Sequence, residues 1–367
     1  MKSFWGQGIS LQIIQGMPLG SLMKVIAGND FIVDTRYLGR MAYLIGIGVF
    51  NSVLGFCERF FDGEEINGIE LKHSPLFILG HWRSGTTHLH NLLSLDEDFS
   101  SPNVYQCLFP NHFIYSQVGS VALKFLAPHK RPMDNVSLSS DAPHEEEFAL
   151  AALSLVSPYL RVLFPVTGCK WHTSLDLDKE PAHWRQSWKD AFIFFLKKLE
   201  LSEGGRPLLK SPPHTARVKH LLEIFPGAQF VHIVRNPYRV YLSTQNLWNK
   251  SFARARFQEP SEDLTKETIL NWYVEMFELF ERDRHLIPAG SLHELKFEDL
   301  EKDPLKELEK IYLSLNLGNF DYLRPRVVNY LNSISDYKKN VFDLDEKTKA
   351  LVGQRWKKNF DRYGYQI

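Results

Sequence analysis

The chain has 367 residues, with 43 basic and 43 acidic side chains, and this balance excludes the strongly basic surface a nucleic-acid binder needs. Hydrophobic residues make up 44% and phenylalanine occurs 26 times, which excludes a disordered chain and supplies a core for one large α/β domain or two smaller ones. The three cysteines Cys57, Cys107 and Cys169 are far apart with no CxxC pair, so a disulfide framework and a structural zinc site are both unexpected, and a reducing, cytoplasmic compartment fits.

In chain order, residues 1–70 read as a helical N-terminal extension and 71–367 as the main domain. The start, MKSFWGQGISLQIIQGMPLG, lacks the compact apolar block and cleavage site of a signal peptide. Residues 41–56 form the most apolar stretch, a little short for a membrane span and interrupted by Asn51 and Ser52. A buried or lid-like helix is expected there. A membrane-surface helix is the alternative, and a true span is the least favoured reading.

An apolar strand at 76–79 runs into a tight loop from Gly80 to Gly85, which opens into a helix near 86–95 with Leu89, Leu92 and Leu93 on one face. Segment 100–143 is richer in Pro, Asn and Ser and reads as a loop, long enough to be a lid over a substrate cleft. A helix is expected from about 144 through EEEFALAALSLV. Another is expected over 183–200, with Trp188, Phe192, Phe195 and Leu199 at helical spacing and Gly204-Gly205 to end it. Apolar runs at 207–210 and 229–234 flank a helix near 214–225, the strand–helix–strand order of a parallel sheet. Residues 267–285 carry Ile269, Tyr273, Phe277 and Phe280 on one helical stripe. A strand near 292–297 leads to Asp303-Pro304, a cap and first-turn proline for a helix over 304–315. The whole reads as α/β, a P-loop-containing three-layer α/β/α sandwich with a central parallel sheet and a helical N-terminal extension.

The strand, the Gly80–Gly85 loop and the helix together aim backbone N–H groups and the positive end of a helix dipole at one point, which makes a site for phosphate or sulfate. The spacing is that of a Walker loop, but Thr86 takes the place of the phosphate-binding lysine. The strand 229–234 ends in Arg235-Asn236 instead of the acidic residue that would hold magnesium. The site therefore reads as built for an anion whose reacting group carries less charge and needs no metal; a sulfuryl group on a nucleotide phosphate fits. Arg235 and Ser243, eight residues on in the next helix, suit one phosphate as a forked charged donor and a neutral one. Taken alone, Arg235 reads equally as a structural ion-pair residue. His81, His88 and His90 have no metal geometry and read as loop and helix surface.

GHWRSGTTHLHNLL, LLKSPPHTARVKHLLEIFPGAQFVHIVRNPYRVYLST and LHELKFEDLEKDPLKELEKIY resemble, in this order, the sulfotransferases that use 3′-phosphoadenosine 5′-phosphosulfate (PAPS). The likeness is nearest to the broad bacterial branch related to tyrosylprotein and heparan-type enzymes, and it covers roughly residues 70–365. It implies that Arg83, Ser84, Gly85, Thr86 and Thr87 hold the 5′-phosphosulfate and that Arg235 and Ser243 hold the 3′-phosphate. It also implies that Lys210 meets the bridging oxygen or sulfuryl group, where a cation stabilises charge on the departing phosphate; a solvated lysine at a strand end is the plain alternative. A general base is needed for an alcohol nucleophile. In DAPHEEEFAL, Glu145 and Glu147 match the family pattern best, although acidic first turns also simply complement a helix dipole. His214 competes for the role, since aryl-type members use a histidine soon after the lysine, but its place past two prolines departs from that pattern. Basic residues near the C-terminus, Lys338 and Lys339 in YKKN and those of RWKKNFDRYGY, would close on the 3′-phosphate or else form an exposed charged face.

The donor is far better defined than the acceptor. The apolar N-terminal segment, the lid-like 100–143 region and the aromatic helix 267–285 suggest a greasy acceptor cleft, and zero net charge speaks against an anionic polysaccharide. The expected acceptor is a hydroxylated hydrophobic small molecule such as a sterol or lipid alcohol, with a saccharide or glycolipid as runner-up. Two rival functions could use the same loop: a P-loop kinase, which would need magnesium and ATP, and a non-catalytic nucleotide-binding or scaffold protein. Lys210, the acidic 145–147 run and His214 weigh against the non-catalytic one. Peripheral membrane contact follows if 41–56 lies on a surface, and the sequence carries no signal for oligomeric state.

Overall fold

The computed structural model describes residues 13–116, 142–167, 174–334 and 344–367. Five short strands, β1 (Leu76–Leu79), β2 (Phe99–Ser100), β3 (Arg206–Lys210), β4 (Gln229–Val234) and β5 (Leu292–Lys296), pair in the order β2-β3-β1-β4-β5. Every pairing in this sheet is parallel, with Ile78 opposite Lys210 on one side and Leu79 opposite His232 on the other. All four residues of β1 are buried, as expected for a strand covered on both faces.

The period-two alternation of the strands sorts their side chains between two helical layers. Leu76, Ile78, Val231 and Ile233 pack in one cluster with Leu89, Leu92 and Leu93 of the helix Thr86–Leu93 and with Leu308 and Ile311 of the helix Pro304–Leu315. On the other face, Phe77 stacks on Phe230 with ring centres 5.6 Å apart, and the His232 ring lies 4.1 Å from that of Phe280 in the helix Glu262–Asp283. Each such aliphatic or phenylalanine side chain, fully buried, contributes roughly 1.5–3 kcal/mol. The result is the expected three-layer sandwich. In this strand order the chain crosses over β1 to pass from β3 to β4, so the loop after β1 lies at the topological switch point, where open α/β sheets bind ligands at the carboxyl ends of their strands.

The chain gathers into two units. One holds Lys72–Ser101, Gly205–Asn246 and Lys266–Ile367, hence the sheet. The other holds the N-terminal segment to Leu71 with Pro102–Gly204 and Leu247–Thr265. In the latter, the helix Ala182–Ser202 buries Trp188, Phe192, Phe195 and Leu199, and positive φ at Gly204 (65°) follows its end. Its Lys198 is fully buried, paired with Glu58 of the helix Leu38–Phe61, and donates to the Pro110 carbonyl at 2.6 Å. Burial pushes this ammonium down to about 8, with Glu58 opposing the shift.

Several local expectations change. The described part of 100–143 is not all loop: Phe99–Ser100 pairs with β3, and Val104–Leu108 is a helix closed by an Asn103/Gln106 capping box. The helix expected from 144 begins at Glu147, and the start of the one expected at 214 is a 3-10 turn, Pro212–Ala216, before the helix Val218–Ile224. The stripe Ile269, Tyr273, Phe277 and Phe280 is buried core, not the wall of an acceptor cleft, because those rings cover the sheet. Residues 41–56 lie in the helix Leu38–Phe61, which is buried along one face only.

Candidate functional site

The loop after β1 is held open by backbone geometry that its sequence makes accessible. Gly80, Arg83 and Gly85 have φ of 151°, 71° and 103°. A side-chain carbon at Gly85 would sit 2.1 Å from Phe297 Cδ2, so only glycine fits. Gly80 N–H donates to Thr215 Oγ1 at 2.8 Å, tying the loop to the turn after β3. Ser84 folds back, its N–H and Oγ–H both reaching the His81 carbonyl at 3.1 and 2.8 Å. Gly85 then caps the helix Thr86–Leu93 with no side-chain acceptor, so the first-turn N–H groups and the helix dipole converge on a point an anion would fill. Gly80 and Gly85 let the loop fold tightly against Ile233 and Phe297, and the helix start carries no side-chain cap, so the residues present fit a phosphosulfate.

Around this loop the sheet places its cations. Arg235, just beyond β4, donates from Nη1 to the Arg83 carbonyl at 3.2 Å, and its guanidinium lies 4.3 Å from the Phe297 ring centre. Burial lowers the Arg235 pKa, Glu298 opposes that shift and Arg83 adds to it; an arginine still keeps its charge at neutral pH. Arg83 in turn donates from Nε to Ser243 Oγ at 2.8 Å. Lys210, at the end of β3 and 2% exposed, donates from Nζ to Thr87 Oγ1 at 3.5 Å. His214 is buried in the turn Pro212–Ala216, edge-on to Phe77 with ring centres 5.5 Å apart. Thus Arg83, Arg235 and Ser243 form one hydrogen-bonded group and Lys210 with Thr87 another, both at the loop carrying Ser84, Gly85 and Thr86.

The remaining expectations fare differently. Glu145 and Glu147 belong to the other unit: Glu145 is half-buried and accepts a hydrogen bond from the Tyr159 hydroxyl, while Glu147 is fully buried in the first turn of Glu147–Ser154. Lys338 and Lys339 lie outside the described residues. The basic tail turns to the helix Glu262–Asp283 instead: Arg355 pairs with Glu267 at 3.1 Å, Lys358 with Glu278 at 3.2 Å and Arg362 with Glu281 at 2.6 Å. His81 and His90 are core residues and not surface; His90 meets Ser101 Oγ at 3.2 Å, and burial pushes His81 down to about 4 against its hydrogen bond to the Trp82 carbonyl. Two supports were missed. Thr215 sits inside a segment already singled out for Lys210, and its hydroxyl-bearing type was the only signal. Phe297 carries no local signal, since its role depends on β5 lying beside β4.

The pattern of the sulfotransferase family matches residues 75–321, a span that holds the loop, Lys210, Arg235 and Ser243. The chain belongs to the sulfotransferase family. It is 34% identical over 351 residues to the omega-hydroxy-beta-dihydromenaquinone-9 sulfotransferase Stf3 of Mycobacterium bovis and to that of Mycobacterium tuberculosis, covering 95% of this chain and 90% of each relative. Among solved structures, sulfotransferase STF1 from Mycobacterium tuberculosis H37Rv superposes with a TM-score of 0.67 at 19% identity, over 92% of this chain and 90% of that one. STF9 from Mycobacterium avium does so with 0.65 at 19%, over 86% and 82%. These likenesses establish the fold. The sulfotransferase is an enzyme, and its loop after β1 does not carry the lysine of a Walker NTPase.

Proposed function

We propose that this sulfotransferase moves a sulfuryl group from PAPS to the hydroxyl of a hydrophobic, lipid-like acceptor. The observation that carries the donor half is the junction of Arg83, Ser243 and Arg235 at the mouth of an uncapped helix. The acceptor half rests on the mycobacterial relatives, whose name specifies a hydroxylated menaquinone derivative and which align with nearly the whole chain.

The donor supplies a sulfuryl group already activated by a nucleotide leaving group. The amides of Ser84–Thr87 hold the sulfonated end, and Arg235 with Ser243 holds the ribose-linked phosphate. Lys210 and Arg83 stabilise the charge that builds on oxygen as the acceptor attacks, a fixed electrostatic contribution. We assign the acceptor's proton to a carboxylate, Glu145 or Glu147, with His214 as the alternative base. Of the two carboxylates, half-buried Glu145 is oriented by Tyr159, which favours it. We place residues 71–367 as the transferase portion and 1–70 as a helical accessory, in a cytoplasmic enzyme with peripheral membrane contact.

The test is incubation of the purified enzyme with radiolabelled PAPS and a panel of long-chain alcohols, hydroxylated quinones, sterols and sugars. Label is expected on the lipid-like alcohols. Transfer to sugars alone would overturn the acceptor, and turnover that needs ATP with magnesium while ignoring PAPS would overturn the donor.

A further inference from the structure

The helix Leu38–Phe61 has 24 residues and is therefore about 36 Å long. Its buried side chains are Met41, Leu44, Gly48, Asn51, Gly55 and Glu58, spaced by three and four. The opposite face repeats the same spacing with Ile45, Val49, Val53, Phe56 and Phe60, all exposed; Phe56 and Phe60 are 63% and 72% accessible. A solvent face of this length without a charge is the inverse of an ordinary amphipathic helix. Phe61 extends it by stacking on Tyr115 with ring centres 5.7 Å apart.

By length and composition, Thr35–Phe61 is apolar enough to cross a membrane. Its buried face forbids that. Asn51 donates to the Gln15 and Met17 carbonyls at 2.7 and 3.1 Å, and Glu58 is paired with buried Lys198. A span would tear these polar groups from their partners. A helix docked on one side and greasy on the other fits a membrane interface lying flat.

Charge decides what covers it. Exposed Lys24 and Arg59 flank the ridge and line, with Ser21, Ser52 and Asn111, a cavity of about 330 Å³. Among the described residues neither cation has an ion-pair partner. Two cations and the Ser21 hydroxyl beside an apolar ridge suit a phosphate headgroup whose acyl chains meet the phenylalanines. We infer that the Leu38–Phe61 ridge docks this enzyme on an anionic phospholipid surface, with Lys24 and Arg59 reading the headgroup. The inference rests on the peripheral-contact reading above and is independent of the acceptor's identity.

Co-sedimentation of the full chain with vesicles of phosphatidylcholine, with or without phosphatidylglycerol, tests it. Binding is expected to be far tighter with phosphatidylglycerol and to weaken in salt. Lys24→Ala with Arg59→Ala should lower it about 30-fold, from about 1 kcal/mol per cation. Phe56→Ser with Phe60→Ser should abolish it, while transfer to a soluble or detergent-dispersed alcohol stays at the wild-type level, which separates failure of docking from failure of the chemistry. Absence of wild-type binding, equal binding to neutral vesicles, or binding undiminished in the variants would overturn the inference. So would a lipid-free dimer that the Phe56/Phe60 variant dissolves, since a second copy would then own the ridge.

Discussion

Arg83 Nε donates to Ser243 Oγ across 2.8 Å, and this single bond ties the loop after β1 to the helix Pro237–Lys250 after β4. It holds a guanidinium and a hydroxyl at one point. Ser243→Ala removes one donor and the anchor of the other. Affinity for adenosine 3′,5′-bisphosphate should fall about tenfold, in line with a charge-assisted hydrogen bond, as measured by calorimetry. Unchanged affinity would remove Ser243 from the nucleotide site.

Gly85 offers a sharper test, because φ of 103° and the Phe297 ring both exclude a side chain. Gly85→Ala is expected to cost about 2 kcal/mol or more through strain and displacement of that ring. Since Phe297 also supports Arg235, nucleotide binding should drop along with the melting temperature. Denaturant titration and calorimetry on the same variant check both.

Lys210 should behave differently. Its ammonium is held near Thr87, and the role assigned to it is charge stabilisation during transfer. Lys210→Ala should leave nucleotide binding largely intact and lower kcat by a factor on the order of 10²–10³. Lost affinity with unchanged turnover per bound complex would make it a binding residue only.

Acid should loosen the loop from within. His81 has an ordinary value of 6.5, and burial drives it to about 4 in the folded chain. Above about pH 6.5 neither state holds the proton; between 6.5 and 4 the unfolded chain takes it and the folded chain does not. Stability therefore falls as pH drops through that window, by about 3 kcal/mol at most for this group. His112, also pushed down to about 4 by burial with Lys198 adding to the shift, contributes in the same direction. His81→Asn keeps a donor for the Trp82 carbonyl and removes the titration, so denaturant titrations at neutral and acid pH should show a shallower loss.

Much of this protein was legible from local pattern. Apolar runs of four to six residues set off by glycine and proline reveal β1, β3 and β4, because burial on both faces demands such runs. The Gly80–Gly85 loop, the lysine ending β3 and the arginine after β4 were equally readable, since backbone freedom and charge are properties of residue type. Segments that owe their form to partners were not. The two-residue strand Phe99–Ser100 exists only because β3 offers it an edge, and the buried histidines His81 and His90 carry no mark of the core in their own neighbourhood.

Sequence alone determined which residues have the chemistry to grip an anion, because donors, glycines and a helix start at fixed spacing are local features. The tertiary structure alone decided that β1 lies between β3 and β4. This placement brings Lys210 and Arg235, twenty-five positions apart, to the same loop. It also decided that Ile45, Val49 and Phe56 face outward, since the few polar residues of this helix do not say in the sequence whether they meet solvent or protein; here Asn51 and Glu58 chose the docked side through the hydrogen bonds and ion pair they make.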